Sequence, residues 1–431
     1  MFKMNNNNSI NFYINNLLLF LIFCFPFFII LGSALINILV VIICVIVLLR
    51  YFNEIKFNFL EYKILIYLFF LFLYININEI FKSNNLDYFL KSLGYFRFLI
   101  FTIGIFIVLE NVKKEQISFY INLNLILILL VGIDIFYQFY FNENIFGFLP
   151  GMCDSNLSNC QRFSGIFNQE LIAGSFISQI GLLMIILRKE IKLNNNNFIL
   201  LFFTLFIFNV ILISGERNAL LIFLLTIFFI FFFKKKIIIF ILILTFLVGT
   251  IFVLGKKSDS INTRFLNIYN GIKIVSNPTL IDKIKENPWS YHYQAAIELF
   301  LNKPISGHGI KSFRVKCAET NIDKKIVNEK NTERYKGYRA CSSHPHNYLL
   351  EFLVEQGLIG GILYLGLIFI VFILIYKKTK SQKKTFLCIA VGSLILAISF
   401  PLKPSGSFLS TYNSSVFFYI LGFFMYSLKK L

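Results

Sequence analysis

Long apolar runs separated by short polar or charged breaks occupy most of this 431-residue chain. Most runs are about 17 to 25 residues long, enough for a helix to cross a hydrocarbon layer about 30 Å thick. The pattern predicts about twelve transmembrane helices, the first two so close that they form a hairpin or one kinked element. Their predicted limits are 15–31, 33–50, 60–79, 94–110, 118–140, 166–187, 198–214, 217–233, 237–255, 357–376, 385–402 and 411–428.

Two of the breaks, 141–165 and 256–345, are much longer than the others. We therefore divide the chain into nine spans (1–255), a large loop domain (256–345) and a C-terminal part (346–431) with the last three spans. The predicted fold class is all-α, a polytopic integral membrane protein with one large periplasmic loop domain. Inside that domain the pattern predicts helices near 263–276 and at 289–302, a turn from Pro304 to Gly309, and a flexible charged stretch at 319–339.

Lysine and arginine are concentrated in alternate breaks, for example at 188–192, 234–236 and 377–384, whereas the short breaks between these carry few. Basic residues stay on the cytoplasmic side of a membrane. Both termini are therefore predicted to be cytoplasmic, and both long loops to lie on the outer face of the membrane.

Composition excludes a soluble domain, because 57% of the residues are hydrophobic and the mean hydropathy is +0.73. A net charge of +19 would suit a nucleic-acid-binding protein. Much of that charge lies between apolar runs, however, where it orients the spans, so we predict membrane lipids and no nucleic acid as partners.

Four of the seven cysteines lie in the two long loops and three lie in apolar runs. In an oxidising compartment, pairing within each loop, Cys153 with Cys160 and Cys317 with Cys341, is the simplest of three connectivities. Four unpaired thiols are the alternative.

The most distinctive polar stretch joins the loop domain to the tenth span and contains His344-Pro345-His346-Asn347. Proline suits the first position of a helix, so His344 is predicted to be the N-cap and His346 to lie in the first turn. A helix N-terminus opposes protonation and would keep that imidazole able to accept a proton. Gly357 is predicted to end or bend this helix. A helix cap with surface histidines is the alternative.

His-x-His-Asn, followed by an aromatic residue, Leu, Glu and Glu-x-Gly-x-x-Gly, resembles the signature of the O-antigen ligase and polymerase superfamily. These are integral membrane glycosyltransferases that use undecaprenyl-diphosphate-linked glycans. Residues 307–313 resemble the Gly-x-Gly-x-x-x-Phe element of that superfamily, and 214–220 resemble its Ser-Gly-x-Arg-x-Ala element. The resemblance covers about residues 160–376.

This resemblance implies catalytic roles for three residues. Arg217 and Arg264 would offset the charge of the departing diphosphate, and His346 would take the proton of the acceptor hydroxyl. Two alternatives stay open, namely a structural ion pair between Glu216 and Arg217, and Arg264 as a solvated loop charge.

Substrate-binding roles are predicted for His344, Asn347 and Glu351 of the histidine motif and for Arg162. Arg162 lies in the stretch 160–168, which resembles one that leads into a span in the same superfamily. The sequence has no metal-ligand spacing and no glycine-rich phosphate loop, so it predicts an enzyme without metal or cofactor.

The predicted activity is transfer of a glycan from an undecaprenyl-diphosphate carrier to a hydroxyl of lipid A–core, or another acceptor, at the periplasmic face. One dominant loop between the ninth and tenth spans favours a ligase. A polysaccharide polymerase and a protein O-oligosaccharyltransferase stay open. A transporter of lipid-linked sugars is the non-enzymatic alternative, but its polar groups would lie near the bilayer midplane rather than at one edge.

Overall fold

The structure is a computed structural model that describes residues 8–61, 63–82, 86–151, 160–190, 197–266, 288–320, 322, 340–380 and 386–429. Helices make up the regular structure and no β-strand occurs in these ranges, which confirms the all-α prediction.

Seventeen α-helices lie in the described ranges, together with a 3₁₀ turn at Gly165–Phe167 and π-helical turns at Ile177–Gly181 and Asn262–Leu266. The α-helices are α1 (Asn8–Leu31), α2 (Ser33–Glu61), α3 (Lys63–Ile80), α4 (Leu86–Leu93), α5 (Phe96–Asn111), α6 (Lys114–Phe141), α7 (Ala173–Phe176), α8 (Leu182–Glu190), α9 (Asn197–Ser214), α10 (Arg217–Phe233), α11 (Ile237–Lys257), α12 (Asp259–Ile261), α13 (Pro288–Asn302), α14 (Ser312–Glu319), α15 (Tyr348–Lys380), α16 (Phe386–Ile398) and α17 (Thr411–Lys429).

Eight helical segments in the described ranges are long and apolar enough to cross a membrane, so the chain is a multi-pass membrane protein. They lie at Phe12–Leu31, Ser33–Phe52, Lys63–Ile80, Leu86–Asn111, Lys114–Phe141, Asn197–Ser214, Ile237–Lys257 and Tyr348–Lys380. Eight of the twelve predicted spans are thereby confirmed as such segments. The other four coincide with shorter, interrupted or more polar helices and stay predictions.

Two of those four predicted spans, which correspond to α16 and α17, are surrounded by protein rather than by lipid. Every residue of α16 from Leu387 to Ile398 is buried, and so is every residue of α17 from Ser414 to Leu428. In contrast, only 6% of the apolar stretch of α11 is buried inside the protein. A helix surrounded by protein can carry serine and tyrosine, whereas α11 must be apolar on nearly every side.

α15 bends at Gly357, as predicted, where φ is 68° and ψ is −167°. The left-handed φ favours glycine. The bend exposes main-chain groups that a second segment satisfies, since the amide of Leu358 donates to the carbonyl of Pro304 over 2.7 Å. The N-terminal part of α15 is thereby joined to the long connection between α11 and α15.

That connection has a small core of its own. One face of α13, carrying Tyr291, Ala295 and Leu299, packs on Phe313 of α14 and on Val354 of α15. Positions four apart lie on the same side of a helix, which explains the spacing. The predicted helix at 289–302 is confirmed as α13, while most of the helix predicted near 263–276 lies outside the described residues.

Cys317 and Cys341 form the predicted disulfide, with their Cα atoms 5.6 Å apart. Cys160 is also disulfide-bonded, but its predicted partner Cys153 lies outside the described residues. So does nearly all of the stretch at 319–339.

Candidate functional site

A tight turn at Gly215 joins α9 to α10 and gathers three arginines. Gly215 has a φ of +68°, and a Cβ placed there would lie 3.5 Å from side-chain atoms of both Arg162 and Arg264 while striking the carbonyl of Gln161. Only glycine fits such a position without strain. Since Arg217 begins α10 two residues later, the three predicted arginines converge on one turn, which we call the arginine cluster.

Each guanidinium in the cluster is bound to a main-chain carbonyl. Nε of Arg217 donates to the carbonyl of Arg264 over 2.6 Å, and Nε of Arg264 donates to that of Gly215 over 2.9 Å. Nη2 of Arg162 donates to Leu171 over 3.1 Å, whereas its Nε is buried and makes no hydrogen bond with the described residues. The arrangement fixes the side chains and leaves at least one buried donor for a ligand.

Glu216 lies in the middle of these cations and is 5% exposed. Its carboxylate accepts hydrogen bonds from the amides of Gly174 and Ser175, over 2.7 and 3.1 Å, and from the Ser175 hydroxyl over 2.8 Å. These bonds tie the carboxylate to the start of α7. A helix N-terminus stabilises negative charge, so Glu216 holds α7 against the turn.

Burial and crowding act together on the charges of this cluster. Burial raises the pKa of Glu216, and the nearby Arg162 opposes that shift. Burial, followed by the charges of Arg217 and Arg162, lowers the pKa of Arg264 to about 10. Because a guanidinium keeps its positive charge at neutral pH, crowding three of them here has a cost that an anionic ligand would reduce.

The histidine motif differs from its prediction in where the helix begins. α15 starts at Tyr348, so His346 precedes the helix and has a left-handed φ of 56°. The cap is Asn347, whose Oδ1 accepts the amide of Leu350 over 3.0 Å and whose carbonyl accepts that of Glu351 over 2.9 Å. The predictions of His344 as N-cap and His346 in the first turn were wrong, because asparagine is a better cap and its side chain is used here.

The connection between α16 and α17, residues 399–410, forms hydrogen bonds with His346 and Asn347 of the histidine motif. Its Ser405 amide donates to the carbonyl of His346 over 2.9 Å. Nδ2 of Asn347 donates to the carbonyls of Pro401 and Lys403 over 2.7 and 3.1 Å. His346 is thus fixed by this connection rather than by a helical turn.

Glu351 supports the same connection. Its carboxylate is buried, accepts the amide of Phe408 over 2.6 Å and also accepts the hydroxyl of Ser407. Lys403, in this connection, is 2% exposed with Nζ 4.9 Å from the ring centre of Tyr348. Burial lowers the pKa of Lys403 to about 7. The predicted substrate-binding roles of Asn347 and Glu351 stay predictions.

Three imidazoles meet beside this connection. The ring centre of His346 lies 4.1 Å from that of His344 and 4.9 Å from that of His292. We call these the histidine cluster. Burial, then the neighbouring imidazoles, lowers the pKa of His346 to about 3, and burial followed by His292 lowers that of His344 to about 4. Both rings are neutral at physiological pH, as the sequence predicted for His346, but burial is the main cause rather than a helix end.

His292 is the residue that the sequence analysis did not assign. It lies on α13, 54 positions before His346, and its Nδ1–H donates to the carbonyl of Ala340 over 2.9 Å. In the sequence, His292 is distinguished only by being one of the chain's four histidines. Only the packing of α13 brings it to the motif.

Tyr412 in α17 lies near Glu216 of the arginine cluster and near Tyr348, the first residue of α15. Its hydroxyl is buried and makes no hydrogen bond with the described residues. In that same part of the chain, no group of three His, Cys, Asp or Glu side chains is placed to hold a metal ion.

A comparison with known families agrees with these motifs. The family model described as O-antigen ligase matches residues 201–365, a stretch that begins in α9 and ends within α15. No curated protein matches the chain significantly. The matched stretch contains Arg217, Arg264 and all three members of the histidine cluster. Residues 201–365 are therefore similar to the O-antigen ligase family, and this match supports membership of the chain in that superfamily.

Proposed function

We propose that the protein is a ligase-type glycosyltransferase that moves a glycan from undecaprenyl diphosphate to a hydroxyl of lipid A–core at the periplasmic face of the inner membrane. The observation that carries this proposal is the arginine cluster. Three cations surround Gly215 with the Glu216 carboxylate among them, and Nε of Arg162 is a buried donor without a partner in the described residues. A diphosphate brings negative charge and pairs of phosphate oxygens, which a planar guanidinium can bind through two parallel hydrogen bonds.

In this proposal the arginines act on the donor. Arg217 and Arg264, held by main-chain carbonyls, contact the diphosphate and offset the negative charge that collects on it as its bond to the sugar breaks. Arg162 binds the same group through its free Nε. Because these side chains already carry the positive charge that the reaction needs, we propose an enzyme that works without metal or cofactor.

The proposed reaction is a single displacement. The acceptor oxygen attacks the anomeric carbon, the bond from that carbon to the diphosphate oxygen breaks, and undecaprenyl diphosphate leaves with the electron pair. The proton of the acceptor hydroxyl passes to His346, and the energy comes from the bond in the donor. One in-line displacement inverts the anomeric carbon.

His346 is suited to accept this proton because it is neutral, although a pKa of about 3 makes it a weak base by itself. A diphosphate bound close to His346 would raise that pKa, since a nearby negative charge favours the imidazolium. We therefore propose that donor binding strengthens the base. His344, whose Nε2 is buried without a partner in the described residues, would bind substrate together with Asn347 and Glu351.

Purified protein incubated with lipid-linked donor, with and without lipid A–core, tests the proposal. We expect release of undecaprenyl diphosphate that depends on lipid A–core, and inversion at the transferred sugar. Lengthening of the lipid-linked glycan without lipid A–core would instead identify a polymerase. Movement of intact donor across vesicles without cleavage would identify a transporter and overturn the proposal.

Topology reporters test the proposed location. Fusions after Lys236 and after Lys384 should report the cytoplasm, because these breaks are rich in lysine. A fusion within 319–339 should report the periplasm. A cytoplasmic signal from that stretch would place the site on the wrong side for a donor displayed outside.

A further inference from the structure

His292 is held in a defined orientation by its own helix. Its neighbours on α13, Tyr291 and Ala295, are 2% and 0% exposed in the small core of the long connection. Rotation of α13 would expose that apolar face, so the direction in which residue 292 projects is set by packing.

The carbonyl that receives the His292 bond is fixed as well. Ala340 is 0% exposed and directly precedes Cys341, which is bonded to Cys317 on α14. Since a carbonyl can only accept, Nδ1 of His292 carries the hydrogen of this bond. The disulfide, the carbonyl and the ring therefore form one continuous support.

The imidazole of His346 lies against this support, next to the ring of His292. It lies before α15 in a left-handed conformation, so no helical turn holds its ring. The bond from Ser405 holds its main chain, whereas His292 and His344 lie against its imidazole.

We propose that His292 is a positioning residue for His346, and that the Cys317–Cys341 disulfide acts through Ala340 to keep His292 in place. His292 orients the imidazole of His346 and keeps water from it. The proposal rests on the proposed function only for its effect on transfer, because the orientation and hydration of His346 are properties of the free protein.

The test compares the full-length variants His292→Ala and His292→Phe with wild type. The control is His308→Ala, because Nε2 of His308 bonds to the carbonyl of Leu299 over 2.8 Å, seven positions along α13 from His292 and so about 10 Å away. Reaction of His346 with diethyl pyrocarbonate, quantified by peptide mass spectrometry from pH 5 to pH 8, needs no substrate and reports the neutral fraction of that imidazole.

In wild type and in His308→Ala we expect less than about a twofold change in the rate at His346 between pH 8 and pH 5, because the ring stays neutral. In His292→Ala, water reaches the ring and the rate should be at least about threefold lower at pH 5 than at pH 8. His292→Phe, which restores a ring of similar size, should return the profile towards wild type. Loss of packing elsewhere would not give this pattern.

In the transfer assay, His292→Ala should lower kcat by about 10–100-fold, since small displacements of a reacting group have effects of this size. KM for the donor should change less than about twofold, because the arginine cluster is untouched. If the reagent profile at His346 and kcat in His292→Ala both stay within twofold of wild type, the proposal is wrong. If wild type transfers no glycan, the proposed function fails, and the reagent profile alone still decides the role of His292.

Discussion

The arginine cluster and the histidine cluster are built in opposite ways. The arginines sit beside the turn between α9 and α10 and are held by main-chain carbonyls such as those of Gly215 and Arg264. The histidines come from the long connection and are held by one another, by a disulfide-anchored carbonyl and by the connection at 399–410. The difference shows two ways of holding ionisable side chains in one protein. Carbonyl dipoles stabilise the charged arginines, whereas partial burial keeps the imidazoles of His344 and His346 neutral.

The largest expected effect is on the transfer rate, and it should distinguish the role of the histidine cluster from that of the arginine cluster. His346→Ala should lower the transfer rate by about 10²–10⁴-fold, the usual cost of removing a general base, while donor binding at the arginine cluster stays intact. Turnover of purified lipid-linked donor measures the first quantity and equilibrium binding of the same donor measures the second.

For this variant, His308→Ala is the control for loss of an imidazole, since that side chain bonds only to its own structural neighbour Leu299 in the described part of the chain. If His346→Ala keeps the wild-type rate while His344→Ala does not, the base is His344. Full activity in both would make the histidine cluster structural.

A smaller loss is expected from Arg217→Lys. Lysine keeps the charge but cannot bond to the Arg264 carbonyl through Nε while presenting a planar face to phosphate, so the rate should fall by about 10–100-fold. Donor KM and kcat measure the change. Arg314→Lys, at an exposed position of α14, should leave both within twofold. An unchanged rate in Arg217→Lys would mean that a point charge is sufficient there.

The pH dependence of transfer should show which cluster changes its protonation state. The arginines stay charged throughout, whereas the pKa of His346 is lowered to about 3 and that of His344 to about 4. The value of kcat/KM reports the free enzyme, so it should change less than about twofold between pH 8 and pH 5.5. An ordinary histidine with a pKa near 6.5 would cause about a tenfold loss over that range. A limb near pH 6.5 would mean that water reaches the cluster.

The same imidazoles link stability to pH in a defined direction. In the folded protein their pKa is depressed, so the unfolded chain binds more protons between about pH 6.5 and pH 3. Their contribution to stability is present above about pH 6.5 and is lost as the pH falls through that window. Thermal unfolding of wild type and His344→Phe at pH 7 and pH 5 checks the sign, because the variant should lose less stability on acidification.

The smallest effect concerns the disulfide. Reduction should destabilise the long connection by about 3 kcal/mol, as expected for a loop of this length, and should lower transfer while leaving donor affinity within twofold. Alkylation of Cys317 and Cys341 only after a reductant is added checks the bond. Equal loss of donor affinity and transfer would show that both clusters depend on the connection.

Much of the fold could be predicted from apolar length, because a lipid-facing helix must be apolar over its whole span. The prediction is weakest where a helix is surrounded by protein. α17 carries Ser414, Ser415 and Tyr419 in fully buried positions, so its hydropathy no longer reflects a lipid environment. The sequence cannot distinguish this case from a partly exposed helix.

The sequence singled out Arg162 and Arg217 because each lies in a motif, and Arg264 because it follows the span before the long loop. Only the Gly215 turn shows that the three lie together. The helix start at Tyr348 could not be predicted from Pro345 alone, since Asn347 competes as a cap and two carbonyls of a distant connection hold it. His292 was missed because its approach depends on tertiary packing over 54 positions.

The close approach of Gly307 to Gly357 has a mechanical consequence. A Cβ on Gly307 would lie 2.5 Å from the amide nitrogen of Gly357, and the amides of His308 and Gly309 donate to the carbonyls of Val354 and Glu355 over 2.9 and 2.8 Å. These loop amides should therefore exchange with deuterium as slowly as those of the helix that they join. At this junction the described residues 304–309 are bonded to the main chain of α15 around its bend, so opening a hinge there would break several hydrogen bonds at once.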